Sequence, residues 1–263
     1  MGDVRVKNIR DVMNGIAPED TAADFDNVGL LVGDENATVT GIVLALDVDE
    51  AVIDFAVQNG CNLIITHHPL IFSPIKSVTT STPVGLLVYK LISSSVSLYS
   101  AHTNFDKAEC GVDDVLADMI GMKNPVRVDD DGEDKNSGFG RIGTLDGISV
   151  GELKKRLSEK IKGNVITTAD ENKIINTAFS CAGAGGSCIE KAIKHKADIF
   201  ITGEIGYHAS LDAKRMGLDV MLLSHQLSEQ EAVNVLNNTL QNHLKGVKYN
   251  VRVILAPFRP FWN

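Results

Sequence analysis

Two stretches of the chain share one order of apolar runs and helical patterns. The first runs from the apolar residues 42–46 through a helical pattern at 51–56 to the apolar residues 63–65. Short apolar runs are typical of buried strands, and apolar residues three and four apart indicate a helix. Gly60 lies where a helix end favours a left-handed residue. The stretch therefore predicts a strand, a helix and a parallel strand joined by a right-handed crossover.

The same order returns later in the chain. Residues 177–180 predict a strand, 188–195 a helix and 197–202 a second strand, with glycines between the first two elements. Each copy then continues with a helix and one more strand. The ungapped overlay places Thr66 on Thr202, and this matching order predicts an internal duplication.

The fold class expected from this repeat is α/β, with two related domains of mainly parallel sheets flanked by helices. A polar, acidic and Gly-containing stretch at 127–141 is typical of a domain boundary, which we place near Pro125. A helix at 228–244 and a strand at 249–255 are assigned to the first half. The predicted domains are 1–125 with 228–263, and 126–227.

Composition narrows the class of protein. The 263 residues are 44% hydrophobic and 22% charged with mean hydropathy +0.03, which predicts a folded globular chain and no membrane span. The charge of 25 − 34 = −9 argues against a nucleic-acid partner. A start without a signal-peptide run, and four cysteines without CxxC spacing, predict reduced thiols in the cytoplasm.

Histidines concentrate where predicted strands end. Ligands of open α/β sheets bind beyond the carboxyl ends of the strands. Five of the seven histidines follow predicted strands, and a glutamate accompanies them. These residues are His67, His68, His102, His208, His225 and Glu204. Packing alone does not explain such a set, which indicates a site.

Individual members of this set have other interpretations. At a strand end before Pro69, His67 and His68 can diverge towards two ions, but an isolated pair more often bonds local carbonyls. Asp106 lies four residues after His102, as on one helical turn, and serves equally well as a local cap.

Another candidate ligand comes late in the chain. Ser228 and Glu231 have the spacing of a capping box, which predicts a helix starting at Glu229 and His225 in the preceding loop. Glu229 in the first turn can act as a ligand or merely complement the helix dipole. Imidazoles and carboxylates together suit a dinuclear site for zinc, iron, manganese or cobalt.

Several motifs together resemble the NIF-three-like family, whose members are often named GTP cyclohydrolase I type 2 homologues. The motifs are FDNVGLLVG at 25–33, ITHHPL at 65–70, HTNFD at 102–106, TGE at 202–204 with His208, and His225 with Glu229. The likeness extends from about residue 11 to 255. It corresponds to the short form without an inserted domain. Phe25 stands where the family usually has Trp, a departure expected to affect packing only.

The resemblance implies two divalent ions per chain in a cleft between the two domains. His68 and Asp106 would bind one ion, His67 and His225 the other, and Glu229 would bridge them. His102, Glu204 and His208 would line the cleft in catalytic or supporting roles. Family members are known as toroidal hexamers, so a homohexamer is expected.

The implied function is metal-dependent hydrolysis of a small molecule, with a nucleotide as one candidate. For GTP, water would attack C8, open the imidazole ring and release formate, with His102 or His208 moving protons. The alternatives are a non-catalytic metal-binding or regulatory scaffold and a nucleic-acid-binding ring. The glycines at 183–186 could cradle an anion or simply permit a tight turn.

Overall fold

The chain divides into two compact units, each built around one β-sheet. In the computed structural model, which describes residues 3–128 and 138–261, the first unit comprises residues 1–108 and 233–259. The second comprises 109–232 and the last residues of the chain. Helices flank both sheets, so the two-domain α/β class predicted from the sequence is confirmed.

The first unit contains a five-stranded sheet in the order β1-β4-β3-β2-β11. Strands β2, β3, β4 and β11 are parallel, and β1 joins β4 antiparallel at the edge. The C-terminal strand, which the sequence analysis assigned to the first half, joins this sheet, since Val253 of β11 pairs with Ile42 of β2. The strands are β1 (Gly29–Val32), β2 (Ile42–Ala45), β3 (Leu63–Thr66), β4 (Ser97–Ser100) and β11 (Val253–Leu255).

The three central strands of this sheet are buried on both faces, as parallel strands covered by helices must be. Local signals fix the helices that cover them. Asp49 caps α2 by accepting a 2.7 Å hydrogen bond from Val52 N. Gly60 follows that helix with φ +65°, as predicted. The helices of this unit are α1 (Val6–Ile16), α2 (Glu50–Gln58), α3 (Pro83–Ser93) and α4 (Thr103–Lys107).

The second unit contains a six-stranded sheet in the order β5-β6-β8-β9-β10-β7. Its strands are β5 (Lys123–Arg127), β6 (Arg141–Ser149), β7 (Ile166–Thr167), β8 (Ile174–Ala184), β9 (Ile199–Glu204) and β10 (Asp219–Leu222). Its helices are α5 (Val112–Ile120), α6 (Val150–Ile161), α7 (Ile189–Lys194) and α8 (Tyr207–Arg215). The long helix α9 (His225–Gly246) begins in this unit.

The second sheet is mixed rather than mainly parallel. Among the described strands, β8, β9 and β10 are parallel, whereas β5–β6, β6–β8 and β7–β10 are antiparallel pairs. The expectation of mainly parallel sheets therefore holds for the first unit and is wrong for the second. The reason is that β5 and β6 extend the sheet as antiparallel neighbours, which needs no crossover helix.

The division between the units falls earlier than the predicted boundary near Pro125. It lies after Ala108, because α5 packs in the second unit and Lys123–Arg127 pairs with β6. The second division, expected before Ser228, falls after Ala232 inside α9. Of the acidic stretch that prompted the first boundary, residues 129–137 lie outside the described part of the chain.

Helix α9 also starts earlier than the capping-box pattern predicted. Its first residue is His225, so Ser228 lies within the first turn and is not an N-cap. Ser228 Oγ donates to His225 O at 2.7 Å and accepts from Gly183 N at 3.0 Å. This serine therefore ties the start of α9 to β8, and the predicted loop position of His225 is wrong.

Within the described residues, helices long and apolar enough to cross a bilayer are absent.

Candidate metal centre

Three histidines of the first unit form one cluster at the carboxyl ends of two neighbouring strands. His67 and His68 directly follow β3, and His102 follows β4 and precedes α4. One donor atom of each ring lies within 4.8 Å of the other two. We call this set the imidazole cluster. Its spacing matches a group of side chains that could hold a metal ion.

Each ring of the imidazole cluster is held through its Nδ1 atom by an oxygen. His67 Nδ1 lies 2.9 Å from Ala101 O, His68 Nδ1 lies 2.7 Å from Asp47 Oδ1, and His102 Nδ1 lies 2.8 Å from Asp26 Oδ1. A carbonyl or carboxylate oxygen only accepts, so these bonds place the proton on Nδ1. The lone pair of each neutral ring is then on Nε2, the arrangement of metal-binding histidines.

Asp26 is the most firmly held of these acceptors. Its side chain is buried, and its Oδ2 accepts hydrogen bonds from the backbone N of Thr103 at 3.0 Å and from the Thr103 hydroxyl. Burial opposes the charged form, but the hydrogen bonds from His102 and Thr103 outweigh it and lower the pKa of Asp26. The carboxylate is therefore ionised and fixed behind His102.

Asp106 lies beside the imidazole cluster on α4. The four-residue spacing from His102 to Asp106 was compatible with a helical turn or a tight loop, and the structure has the helical turn, since Asp106 N donates to His102 O at 3.0 Å. Asp106 Oδ1 is 3.5 Å from His67 Nε2. Asp106 therefore lies next to His67, and its pairing with His68, which the family resemblance implies, stays a prediction.

The second unit brings together one histidine and two glutamates. His225 Nε2 lies 3.3 Å from Glu229 Oε1, one helical turn further along α9. His225 Nδ1 lies 3.0 Å from Glu204 Oε1, at the end of β9. Glu229 is buried, whereas Glu204 is exposed. Imidazole and carboxylate donors again suit a divalent first-row ion.

Two glycines make room for this arrangement. A Cβ on Gly183, whose φ is +60°, would lie 2.3 Å from Glu229 Oε1. A Cβ on Gly203 would lie 2.6 Å from Gly183 O and 2.8 Å from His225 Cα. Since Gly183 N donates to Ser228, these glycines allow close approach of β8, β9 and α9. Of the two interpretations left open for the glycines, this geometry favours the tight turn.

His208 lies apart from these contacts. It is exposed in the first turn of α8, and its ring packs edge-on to Tyr207 with centroids 5.3 Å apart. Within the described part of the chain, His208 forms no ion pair with a carboxylate. A role for His208 in proton transfer stays a prediction.

Sequence reasoning missed the acceptors behind the histidines. Asp47 follows the carboxyl end of β2, so the rule that located the histidines could have located it too. Asp26 lies in an irregular segment before β1, far from His102 in the chain, and no periodic pattern marks it. Phe25 was expected to affect packing, but its side chain is 67% exposed.

Fold and geometry together define a class of protein: two α/β units whose strand ends carry imidazole and carboxylate groups that could hold metal ions. The chain belongs to the DUF34/NIF3 family, described as NGG1p interacting factor 3, whose model matches residues 4–260. The family resemblance stated from the motifs is thus confirmed.

Individual relatives agree with this assignment. A Clostridium acetobutylicum protein named GTP cyclohydrolase 1 type 2 homolog is 33% identical over 256 residues, covering 96% of both chains. The structure of a Staphylococcus aureus hypothetical protein has a TM-score of 0.90 at 26% identity and full coverage of both chains. A Bacillus cereus protein related to NIF3 has the same fold, with a TM-score of 0.90, 21% identity and full coverage of both chains.

Proposed function

We propose that this protein is a dinuclear metal-dependent hydrolase. The observation that carries the proposal is the imidazole cluster, in which an oxygen acceptor holds each Nδ1 and the donor atoms gather within 4.8 Å. Three imidazoles oriented in this way fit zinc, iron, manganese or cobalt better than calcium or magnesium. The donor set therefore fits the pair of ions that the family resemblance implies.

The proposed ligands are those that the family resemblance implies, with His102 added. In the first unit, they are His67, His68, His102 and Asp106. In the second, they are His225 and the buried carboxylate of Glu229, which we propose as the bridge between the ions. This arrangement gives His102 a ligand role in place of the proton-transfer role considered from the sequence, because its ring belongs to the cluster.

Bound ions would polarise a substrate oxygen and lower the pKa of water towards 7. The residues of the chain supply orientation and proton transfer. Asp26 and Asp47 hold His102 and His68, and Glu204 holds His225. Because Glu204 is exposed, we propose its carboxylate as the group that accepts a proton from a substrate or from water.

The proposed substrate is a nucleotide, with GTP as the first to test. Support comes from the curated relatives, which are named GTP cyclohydrolase 1 type 2 homolog. In this reaction, one water adds to C8 of the purine and opens the imidazole ring to a formamide, and a second water hydrolyses that formamide, which releases C8 as formate and leaves a free amine. His208, exposed at the start of α8, remains a proposed proton carrier.

The test of this function combines elemental analysis with an assay of formate. Protein purified without added metal should contain two divalent ions per chain and release formate from GTP, and a chelator should abolish the release. Metal in the protein with no product from GTP, other nucleotides or phosphoesters would contradict the hydrolase. That outcome would favour the non-catalytic metal-binding scaffold.

A separate variant tests the proposed bridging role of Glu229. Glu229→Gln should lower the bound metal below two ions per chain while the protein stays folded. Glu190→Gln, an exposed first-turn glutamate of α7, is the matched control and should bind as the wild type does. Unchanged stoichiometry in Glu229→Gln would refute the bridge.

We also propose the homohexamer that the family resemblance implies. Light scattering should then give a mass six times that of the 28.3 kDa chain. A monomer or dimer at micromolar concentration would contradict it.

A further inference from the structure

Two exposed phenylalanines lie beside the imidazole cluster in the first unit. Phe25 and Phe72 have ring centroids 6.3 Å apart with planes tilted by 58°. Phe72 in turn packs edge-on to His102, with centroids 6.2 Å apart and planes at 87°. The two side chains are 67% and 48% exposed. An aromatic surface therefore continues from solvent directly to a proposed metal ligand.

Anchored backbone holds these rings in place. Phe25 immediately precedes Asp26, which is fixed by His102 and Thr103. Phe72 immediately follows Ile71, whose carbonyl accepts a 2.5 Å hydrogen bond from Asn27 Nδ2. The same short segment, 25–27, thus orients His102, carries one phenylalanine and positions the other.

Burial does not account for the position of the two rings. Large aromatic side chains contribute most to folding when they are removed from water, and these two are largely in contact with it. The tilted pair of rings, with Phe72 edge-on to His102, is instead suited to contact with another ring. Phenylalanine carries no charge or hydrogen-bonding group, so such a contact favours a flat aromatic face over a phosphate group.

We propose that Phe25 and Phe72 form an aromatic wall that binds the planar heteroaromatic ring of the substrate and presents it to the imidazole cluster. This inference rests on the proposed function, because it takes the cluster as the reaction centre. The occupant is a small molecule with a flat ring. An aliphatic or purely sugar-phosphate ligand lacks the π-face that the wall would contact.

Binding of three related ligands to the metal-loaded full-length protein tests the wall. GMP, UMP and ribose 5-phosphate share a phosphorylated ribose and differ in the ring, which is large, small or missing. Calorimetry should show GMP binding most tightly and ribose 5-phosphate most weakly, with roughly tenfold or more between these two. Equal affinities, or no binding of GMP, would overturn the inference.

Leucine substitutions locate the effect while keeping an apolar side chain. Phe25→Leu and Phe72→Leu should each weaken GMP binding several-fold and leave ribose 5-phosphate unchanged. Tyr89→Leu removes a 53% exposed aromatic ring of α3 and is the matched control, expected to bind as the wild type does. A preference for GMP that persists in the Phe25→Leu/Phe72→Leu double variant would overturn the wall.

Metal content separates this inference from the proposed function. The leucine variants should retain the metal of the wild type, because neither phenylalanine is a ligand. Loss of ring preference with full metal content supports the wall alone. Ring preference in a protein that binds metal but releases no formate would sustain the wall and contradict the hydrolase.

Discussion

The two units share a sheet framework but end their central strands with different chemistry. Each sheet contains three parallel strands that follow one another along the chain, β2-β3-β4 in the first unit and β8-β9-β10 in the second. The last strand of each set pairs antiparallel with the strand that comes before the set in sequence, β1 or β7. Thr66 ends β3 and pairs with Ala45, while Thr202 occupies the corresponding place in β9 and pairs with Cys181. This agreement in order and direction supports the predicted duplication more strongly than sequence identity does.

Beyond these threonines the units diverge. The first continues with His67 and His68, and the second with Gly203 and Glu204. Both units nevertheless place a carboxylate on Nδ1 of a histidine that follows the next strand, Asp26 on His102 and Glu204 on His225. One framework therefore supports an imidazole-rich site in one unit and a carboxylate-rich site in the other.

Glycine explains how the second unit builds its site. The strand ends of the first unit carry imidazoles. The second unit has glycine at 183 and 203, and the first turn of α9 packs against the backbone there. The same strand end can therefore carry a candidate metal-binding side chain itself or make space for one that a helix carries.

The largest expected effect concerns the close packing at Gly203. Gly203→Ala puts a Cβ within 3 Å of backbone at Gly183 and His225, and we expect a loss of about 3 kcal/mol in the free energy of unfolding. Urea denaturation measures it. Gly186→Ala is the control, since its Cβ would meet nothing within 4 Å. Equal stability of both variants would contradict the account.

The second largest effect is expected in the ion-pair network of the second unit. Arg141 is fully buried and donates to Asp114 and to the carbonyls of Gly138 and Gly140. Burial opposes ionisation of Asp114, but Arg141 and Arg127 outweigh it and lower the pKa of Asp114 below its usual value. Asp114→Asn should cost about 2 kcal/mol at pH 7, because it leaves a buried guanidinium with a weaker partner.

The effect of Asp114→Asn should depend on pH. A carboxyl group with a lowered pKa stabilises the folded state above its unfolded pKa near 4, and this contribution is lost as the pH falls through the folded value. The gap in unfolding free energy between wild type and variant should therefore be full at pH 5–7 and shrink below about pH 4. A gap that stays constant to pH 2 would contradict the assignment.

The third largest effect is expected at the carboxylates that accept hydrogen bonds from the histidines of the first unit. Asp26→Asn should weaken metal binding by roughly 10–100-fold, because an amide can present its NH₂ group to His102 and release the ring from its orientation. Asp47 is 56% exposed, so Asp47→Asn should have a smaller effect. Competition with a chromophoric chelator measures both. Asp54→Asn on α2 is the control, and an equal loss in it would refute the orienting role.

The smallest expected effect concerns Ser228. Ser228→Ala removes the acceptor of Gly183 N and should cost about 1 kcal/mol. Ser210→Ala, which loses only an exposed 3.2 Å bond to Gly206 O, should change stability by less than about 0.5 kcal/mol. Thermal unfolding distinguishes them. A Ser228→Ala variant as stable as Ser210→Ala would show that the tie between β8 and α9 is weak.

Sequence patterns predicted most of the framework, because buried parallel strands and capped helices leave local signals. The runs around Ile42, Leu63 and Ile199, and the left-handed Gly60, became the elements they indicated. The antiparallel strands β5 and β6 were missed, since their alternation is short and interrupted by Pro125 and glycines. Local pattern does not determine which neighbour a strand takes.

For the candidate site, the sequence predicted the positions of the histidines but not the residues that hold them. Strand ends located the histidines, because the rule concerns chain direction and needs no contact information. The acceptor Asp26 and the close approach at Gly203 depend on residues distant in the chain. Ser228 shows a different kind of error. Its sequence motif was that of a capping box, but in the structure its hydroxyl accepts a hydrogen bond from Gly183 N, which is distant in the chain.

The most direct test of the central claim is an anomalous difference map from a crystal of metal-loaded protein. Two peaks per chain are expected, with at least one about 2.0–2.2 Å from an Nε2 atom of the imidazole cluster. The absence of any peak bonded to His67, His68 or His102, in crystals that hold metal elsewhere, would contradict it.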